Sequence, residues 1–192
     1  MCAMLSSERK EWVRSLLYPL VRLCGQLGIH PNALSITGLV LALLSGLVIA
    51  GGRPRFGAIL FLAGGLFDML DGSVARAAGT GSRFGAFLDS TLDRFAEIAV
   101  YLGLAYWMRY DSLFLLPFLV IAGSLMVSYT RARVEGLGGE CAVGLLERPE
   151  RIVILFLGLI LGGFLLDLAL LILAVGSYLT AFQRMAHARK VL

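Results

Sequence analysis

Residues 68–76 read Asp-Met-Leu-Asp-Gly-Ser-Val-Ala-Arg, and residues 85–93 read Gly-Ala-Phe-Leu-Asp-Ser-Thr-Leu-Asp. These two segments place four aspartates within a strongly apolar part of the chain: Asp68, Asp71, Asp89 and Asp93. One carboxylate near the middle of a bilayer costs about 2.5–3.5 kcal/mol, so four cost on the order of 10 kcal/mol before compensation. The nearby cations are too few to balance them, being only Arg76, Arg83 and Arg94. We therefore expect bound metal ions.

The composition is that of a membrane protein. Hydrophobic residues make up 58% of the 192 positions and charged residues only 16%, which is typical of a polytopic membrane protein and not of a soluble domain. Since a spanning helix needs about 20 residues, the apolar stretches predict an all-α fold with six transmembrane helices. The expected spans are 33–51, 57–78, 83–107, 113–134, 149–166 and 168–188. A very short turn near Leu165–Asp167 is expected between the last two.

The first thirty residues predict a surface helix ahead of the spans. Apolar residues recur on one helical face from Trp12 to Leu27,. Basic residues lie off that face, at Arg9, Lys10, Arg14 and Arg22. We expect an amphipathic juxtamembrane helix at 8–28 that rests on the membrane. With no long linker in the sequence, one domain should cover residues 1–192, and its six-helix transmembrane bundle should cover 33–188.

The basic residues predict the orientation. With the amino terminus in the cytoplasm, only three of the seventeen Lys and Arg residues fall on the outer side, namely Arg53, Arg55 and Arg109,. Both termini and the turn at 79–81 then lie on the inner side. We expect a multi-pass protein of the cell (inner or plasma) membrane whose active site faces the cytoplasm.

That turn brings the four aspartates together. Asp71 and Asp89 each lie nine residues from Thr80, so an antiparallel helix pair would hold the carboxylates at matching depth, about 13–20 Å from the turn. Spacings of three and four residues put each set on one helical face. Oxygen ligands without His or Cys favour Mg²⁺ first and Mn²⁺ second. Four carboxylates are enough for two ions, an arrangement that clamps a phosphoryl group during displacement.

Small residues accompany the aspartates. Gly72, Ala75 and Gly85 lie on the same faces, where they would let a bulky ligand approach the backbone. Arg76, one turn beyond Gly72, can fork onto a phosphate. The alternative is that these small residues only allow close helix packing in lipid.

The segment from Asp68 to Asp93 reads D-x2-D-G-x2-A-R-x8-G-x3-D-x3-D and resembles the signature of the CDP-alcohol phosphotransferase family. The resemblance implies a six-span membrane enzyme, acting as a two-fold dimer, that passes a phosphatidyl or related group from a CDP-linked donor to an alcohol and releases CMP. By position, it implies that Asp68, Asp71 and Asp89 bind metal ions. Asp93 would bind one ion and also act as the base that deprotonates the acceptor hydroxyl.

The donor contacts implied by this resemblance are Pro31, Asn32, Gly72, Ala75, Arg76, Ser82 and Gly85. For Pro31 and Asn32, an ordinary helix start is an equally good and compatible interpretation, with Asn as the cap and Pro ending the preceding helix.

The second half of the chain predicts an anionic acceptor. Three helix ends bring five arginines to the inner face: Arg131, Arg133, Arg148, Arg151 and Arg184. Positive-inside anchoring explains any one of them, but five together favour a phosphate pocket. The segments Tyr129–Glu135 and Glu147–Arg151 also resemble the phosphatidylinositol phosphate synthase branch of the family. That match implies that Arg131, Arg133 and Arg151 bind the acceptor phosphate, with Arg184 as a fourth. One departure is Arg131, which stands where Lys is common.

The sequence thus predicts a phosphatidyltransferase of phospholipid biosynthesis that uses CDP-diacylglycerol. The favoured acceptor is an inositol phosphate. Glycerol 3-phosphate is the alternative, and serine or free inositol would not explain so many cations. A divalent-cation transporter is the alternative of a different class, although transporters commonly show inverted repeats with broken helices. The expected partners are CDP-diacylglycerol, a small phosphorylated alcohol, the lipid bilayer and a second copy of the chain, and no nucleic acid is expected.

Overall fold

The computed structural model describes residues 19–24, 26, 30–79 and 81–192. Within these ranges all regular structure is helical, and six long helices follow one another: α1 Pro31–Ala50, α2 Pro54–Ala78, α3 Arg83–Trp107, α4 Leu116–Gly136, α5 Arg148–Leu161 and α6 Phe164–Val191. Residues 19–24 and 26, ahead of α1, are also helical. Most of the expected surface helix at 8–28 lies outside the described residues.

Three of the described helices are long and apolar enough to cross a membrane: Pro31–Ala50, Pro54–Ala77 and Phe164–Val191. The ionisable residues that α3 and α4 carry make these helices less apolar than a typical span. Helix α5 has only 14 residues and is therefore about 21 Å long. The prediction of an all-helical membrane protein is confirmed at this level, and the count of six spans stays a prediction.

The boundaries of α1 to α4 lie within three residues of the expected spans, and α3 has the expected bounds of 83–107. Helix α5 ends at Leu161 and α6 begins at Phe164, both earlier than expected. The prediction of a turn near Leu165–Asp167 is wrong. The chain turns at Gly162 and Gly163, whose φ values are +70° and +52°. Left-handed backbone of this kind suits glycine, so the glycine pair marks the turn, whereas the apolar residues run across it without a break.

Helix α1 holds the aspartate-bearing helices in place. It packs closely on both α2 and α3, while α2 and α3 contact each other little. The expected α2–α3 helix pair is therefore corrected: the two helices converge around α1. Small residues allow the close approach, since a Cβ on Gly38 would lie 3.0 Å from the Gly64 carbonyl oxygen and a Cβ on Gly103 would overlap the Gly46 backbone,.

The second half of the bundle completes the core. Helix α6 packs on α4 and α5, and α5 also packs on α2. A continuous apolar cluster joins both halves and includes Val100, Leu104, Leu155, Leu170 and Leu173, all fully buried. Large apolar side chains elsewhere point outward, as for an assembly surrounded by lipid, and Leu47, Phe56 and Phe164 are among them. The functional site lies outside this core, at the polar ends of α2 to α6.

The contact between α1 and α3 gives a stability prediction. Gly103→Ala should lower the unfolding temperature of the detergent-solubilised protein, because the added methyl group meets backbone that cannot move aside. Overpacking of this kind typically costs about 1–3 kcal/mol. Gly136→Ala is the matched control, since a Cβ there has no neighbour within 4 Å. Equal unfolding temperatures for the two variants would contradict the close α1–α3 packing.

Candidate active site

Three aspartates converge at the centre of the site. One carboxylate oxygen each of Asp68, Asp71 and Asp89 lies within 4.8 Å of the others, so the aspartates of α2 and α3 lie at matching depth, as their sequence spacing predicts. Asp71 is almost fully buried, with 3% of its surface exposed. Three carboxylates this close repel one another strongly unless a cation lies between them.

The chemistry of these carboxylates fits a divalent cation. Oδ1 of Asp89 is buried and has no hydrogen-bond partner among the described residues, although buried polar atoms are nearly always paired. Oδ2 of Asp71 accepts a 2.5 Å hydrogen bond from Ser35 Oγ at the start of α1, which fixes that carboxylate. An all-oxygen cluster with one oriented carboxylate and one unpaired oxygen is the donor set that Mg²⁺ or Mn²⁺ requires.

Asp93, one turn beyond Asp89, has a different partner. Its carboxylate forms a 2.5 Å ion pair with Arg148 Nη1, and the same nitrogen also bonds Asp68 Oδ2. Arg148 begins α5, so this guanidinium ties α5 to both aspartate-bearing helices. The predicted base therefore lies between the carboxylate cluster and the arginines of the second half.

The residues expected to hold the donor form two groups beside the carboxylates. A Cβ on Gly85 would lie 3.0 Å from Ser82 Oγ and 3.7 Å from Asn32 Oδ1, so these three residues adjoin. In the second group, a Cβ on Gly72 would lie 3.3 Å from Arg76 Nη1. Each glycine thus lets a polar side chain lie close to its backbone, and donor binding by these residues stays a prediction.

The other two expected donor residues, Pro31 and Ala75, are half-buried in the first turn of α1 and the last turns of α2. Pro31 begins α1, but the cap is His30, whose Nδ1 accepts a 3.2 Å hydrogen bond from the Asn32 backbone N–H. The interpretation of Asn32 as the helix cap is therefore wrong. Its side chain is not used for capping, and it lies near Gly85.

A cavity of about 500 Å³ opens beside Asp93. Five arginines and four carboxylates line it among the described residues: Arg94, Arg131, Arg148, Arg151 and Arg184, with Asp93, Glu97, Glu135 and Glu147. Four of the five arginines expected at the acceptor are thus brought together. Arg131 also pairs with Glu135 at 2.7 Å on the exposed edge of the cavity.

Arg133 lies elsewhere. In the described part of the chain it is exposed on α4 and is not among the residues that line the cavity. The reason is helical geometry: two residues on one helix that are two positions apart point about 200° away from each other. Arg131 and Arg133 therefore point to nearly opposite sides of α4, and only Arg131 lines the cavity. The sequence motif does not reveal this difference.

Arg151 and Arg184 are both 97% buried, with 3% of their surface exposed. Arg151 donates from Nε to Glu97 Oε1 at 2.8 Å and from Nη2 to Glu97 Oε2 at 3.0 Å. Arg184 donates to two backbone carbonyls, from Nε to Val143 at 2.8 Å and from Nη1 to Val127 at 2.7 Å. Each guanidinium is thus held in place and keeps some donors for a ligand.

The loop between α4 and α5 packs against α6 beside the cavity. Gly144 has a φ of +149°, and a Cβ there would lie only 2.6 Å from Thr180 Cγ2 on α6. The Leu146 N–H donates to Thr180 Oγ1 at 3.0 Å. The absence of a side chain at Gly144 therefore lets the loop pack closely against α6, next to Arg184.

Sequence reasoning missed Ser35, Arg94, Glu97 and Ser124 as site residues. A sequence signal existed for two of them: Glu97 and Arg94 follow Asp93 by four residues and one residue on a helix that carries the motif. Ser35 and Ser124 come from other helices, α1 and α4, and only the packing of the bundle brings them to the carboxylates.

A helical membrane protein with an aspartate cluster for divalent cations and an adjoining arginine-lined cavity is suited to phosphoryl-group transfer. A family model described as CDP-alcohol phosphatidyltransferase matches residues 28–183. The chain therefore belongs to the CDP-alcohol phosphatidyltransferase family, and the prediction made from the aspartate motif is confirmed.

Individual relatives agree with this assignment. The chain is 36% identical over 190 residues to the archaetidylinositol phosphate synthase of Pyrococcus horikoshii, covering 97% of each protein. It resembles the crystal structure of Mycobacterium tuberculosis phosphatidylinositol phosphate synthase with CDP-DAG bound, with a TM-score of 0.82, 34% identity, and coverage of 90% of this chain and 93% of that one. The same enzyme in complex with manganese and citrate matches with a TM-score of 0.83, 32% identity, and coverage of 90% and 88%.

The carboxylate cluster gives a metal-binding prediction. Asp89→Asn should weaken Mn²⁺ binding by at least about tenfold, since it removes a charged ligand at the buried oxygen that has no protein partner. Mn²⁺ electron paramagnetic resonance on the purified protein measures this without any turnover. Asp68→Asn and Asp71→Asn should behave similarly. Asp167→Asn is the control, because Asp167 lies at the opposite end of the bundle, in the first turn of α6. Unchanged Mn²⁺ affinity in all three variants would overturn the metal site.

Proposed function

We propose that this protein transfers a phosphatidyl group from CDP-diacylglycerol to an inositol phosphate and releases CMP. The observation that carries the proposal is the position of Asp93 and Arg148. Both line the arginine-rich cavity, and Arg148 also bonds Asp68 of the carboxylate cluster. A phosphorylated acceptor in the cavity would thus have its hydroxyl group next to a donor held at the carboxylates. The names of the relatives support the same pair of substrates.

In this proposal the donor lies along α1, α2 and the start of α3. The CDP group would contact Asn32, Gly72, Arg76, Ser82 and Gly85, with Pro31 and Ala75 at its edge. Two Mg²⁺ ions, or Mn²⁺ in their place, would be held by Asp68, Asp71, Asp89 and Asp93. When bound, such ions neutralise the negative charge of the pyrophosphate.

Asp93 is the proposed base. Its carboxylate accepts the proton of the acceptor hydroxyl while the hydroxyl oxygen bonds to the phosphorus that carries diacylglycerol. The bond from that phosphorus to the bridging oxygen breaks, and CMP leaves with the electron pair. Arg148 helps to orient Asp93, because its guanidinium contacts the carboxylate directly,.

The acceptor is assigned to the cavity. Arg131, Arg148, Arg151 and Arg184 supply positive charge and directed N–H donors for a phosphate. Glu135 and Glu147 also line the cavity, and carboxylates of this kind accept hydrogen bonds from several hydroxyl groups. This combination favours a polyol phosphate, and an inositol phosphate uses it more fully than glycerol 3-phosphate, which is the second candidate. The expectation that Arg133 binds the phosphate stays a prediction without support from the cavity.

The proposed setting is a single six-helix bundle in the cell membrane with the site at the cytoplasmic face. Fourteen of the seventeen basic residues fall on that side in this orientation, and only three on the other,. A homodimer is also proposed. Exposed aromatic side chains on α3, at Phe84, Phe87 and Phe95, offer a surface that a second copy could cover.

The function is tested by CMP release. Purified protein with Mg²⁺ and CDP-diacylglycerol should release CMP when given an inositol phosphate, and more slowly or not at all with glycerol 3-phosphate, serine or free inositol. EDTA should stop the reaction. CMP release with free inositol or serine alone would overturn the assignment of a phosphorylated acceptor. Metal transport without any CMP release would favour the transporter.

The base gives a second prediction. Asp93→Asn should lower kcat by about 10²–10⁴-fold, the usual contribution of general-base catalysis, while CDP-diacylglycerol still binds through the other donor contacts. Equilibrium binding of the donor and single-turnover kinetics separate the two effects. Loss of donor binding with unchanged single-turnover chemistry would mean that Asp93 is a ligand and that the base lies elsewhere.

The two arginines of α4 give a third prediction. Arg131→Gln should raise the KM for the phosphorylated acceptor by roughly tenfold or more, since a charge-assisted hydrogen bond is lost. Arg133→Gln, two residues away on the opposite side of the same helix, should have a much smaller effect on that KM. The measurement is the acceptor KM of each variant, determined on correctly inserted enzyme. Equal KM values for Arg131→Gln and wild type would remove Arg131 from the acceptor site.

A further inference from the structure

A buried ion pair joins three helices behind the acceptor cavity. Glu97 on α3 accepts two hydrogen bonds from Arg151 on α5, at 2.8 and 3.0 Å. It accepts a third from Ser124 Oγ on α4, at 2.6 Å. Both Glu97 and Arg151 also line the cavity. The pair is therefore part of the wall that a ligand would meet.

The atoms used by Glu97 determine what Arg151 has left. A guanidinium has two edges that can each form a pair of parallel hydrogen bonds, one with Nε and Nη2 and the other with Nη1 and Nη2. Glu97 takes the first edge completely. On the second edge, Nη1 makes only a long 3.5 Å contact with the Leu146 carbonyl oxygen. The second edge is thus the one available to an anion.

The same ion pair sets the position of that edge relative to the base. Arg148 and Arg151 are one turn apart on α5, and Asp93 and Glu97 are one turn apart on α3. Arg148 pairs with Asp93 and Arg151 pairs with Glu97. Two successive ion pairs therefore fix the register of α5 against α3, with the base in the first pair and the partly free arginine in the second.

We propose that Glu97 is a positioning residue for the acceptor: it holds Arg151 so that its Nη1–Nη2 edge binds the acceptor phosphate at a fixed distance from Asp93. The inference rests on the proposed function, because it requires a phosphorylated acceptor. It assigns Glu97 no contact with the phosphate, which a carboxylate would repel. Burial alone does not explain the pair, since well-packed apolar residues are often as stable as a buried ion pair.

The test is the effect of Glu97→Gln on the two substrates. Glutamine keeps the size of the side chain but loses the charge and one acceptor site for Arg151. The acceptor KM should rise by about tenfold or more, while the KM for CDP-diacylglycerol stays within about twofold of wild type. Glu97→Asp should recover part of the acceptor affinity. Glu150→Gln is the matched control, because Glu150 is exposed on the first turn of α5 and does not line the cavity.

A double-mutant cycle separates positioning from a structural role. If Glu97 acts through Arg151, the double variant Glu97→Gln/Arg151→Gln should have an acceptor KM no higher than that of Arg151→Gln alone. This variant removes both buried charges together, so it avoids the penalty of an unpaired charge if Glu97→Gln alone does not fold. Ser124→Ala keeps both charges and removes one hydrogen bond, and it should raise the acceptor KM by about two- to tenfold.

Several results would overturn the inference. One is a multiplicative effect of the two substitutions on the acceptor KM. Another is an unchanged acceptor KM in Glu97→Gln, or in Ser124→Ala where Glu97→Gln does not fold, while wild type uses a phosphorylated acceptor normally. That outcome leaves the proposed function intact. If wild type instead releases CMP only with uncharged alcohols, the proposed function fails, and the role of Glu97 in phosphate binding fails with it.

Discussion

Negative charge in an apolar layer must be balanced by a cation or by hydrogen-bond donors, and the whole site follows from this requirement. Arg148 balances Asp68 and Asp93, and Ser35 bonds Asp71. Among the described residues, Oδ1 of Asp89 has no hydrogen-bond partner. This oxygen is therefore the one that most needs a metal ion. The helices α1 and α5 thus have a second role besides packing, because they supply the side chains that pair with these carboxylates.

The sequence carried enough information for the class of protein and the centre of its site. Spacings of three and four residues put the aspartates on helical faces, and equal distances from the turn put Asp71 and Asp89 at one depth, as the structure has them. The site residues that were missed come from contacts distant in sequence. No local pattern says that α1 packs between α2 and α3, so neither Ser35 nor the close approach of Gly46 and Gly103 could be read from the chain.

Other features have a local signal that hydropathy does not register. The α5–α6 turn is set by the backbone freedom of Gly162 and Gly163, within an apolar stretch whose composition does not change. Arg131 and Arg133 belong to one motif, but residues two positions apart on a helix point in nearly opposite directions, and only Arg131 lines the cavity. The sequence predicts Arg151 as a phosphate ligand but not its partner Glu97, which occupies one edge of the guanidinium.

The short length of α5 affects how far the aqueous phase extends towards the site. At about 21 Å, a 14-residue helix is roughly 9 Å shorter than the hydrocarbon layer of a bilayer. If its Gly162 end is level with the adjacent ends of its neighbours, then Arg148 at its other end lies within the lipid layer, below the plane of the headgroups on that side. Mismatch of this kind is relieved by a local dip in the lipid surface. With the proposed substrates, a water-soluble acceptor would then reach the carboxylates through solvent, while a lipid-borne donor would enter from the bilayer, and neither would have to leave its own phase.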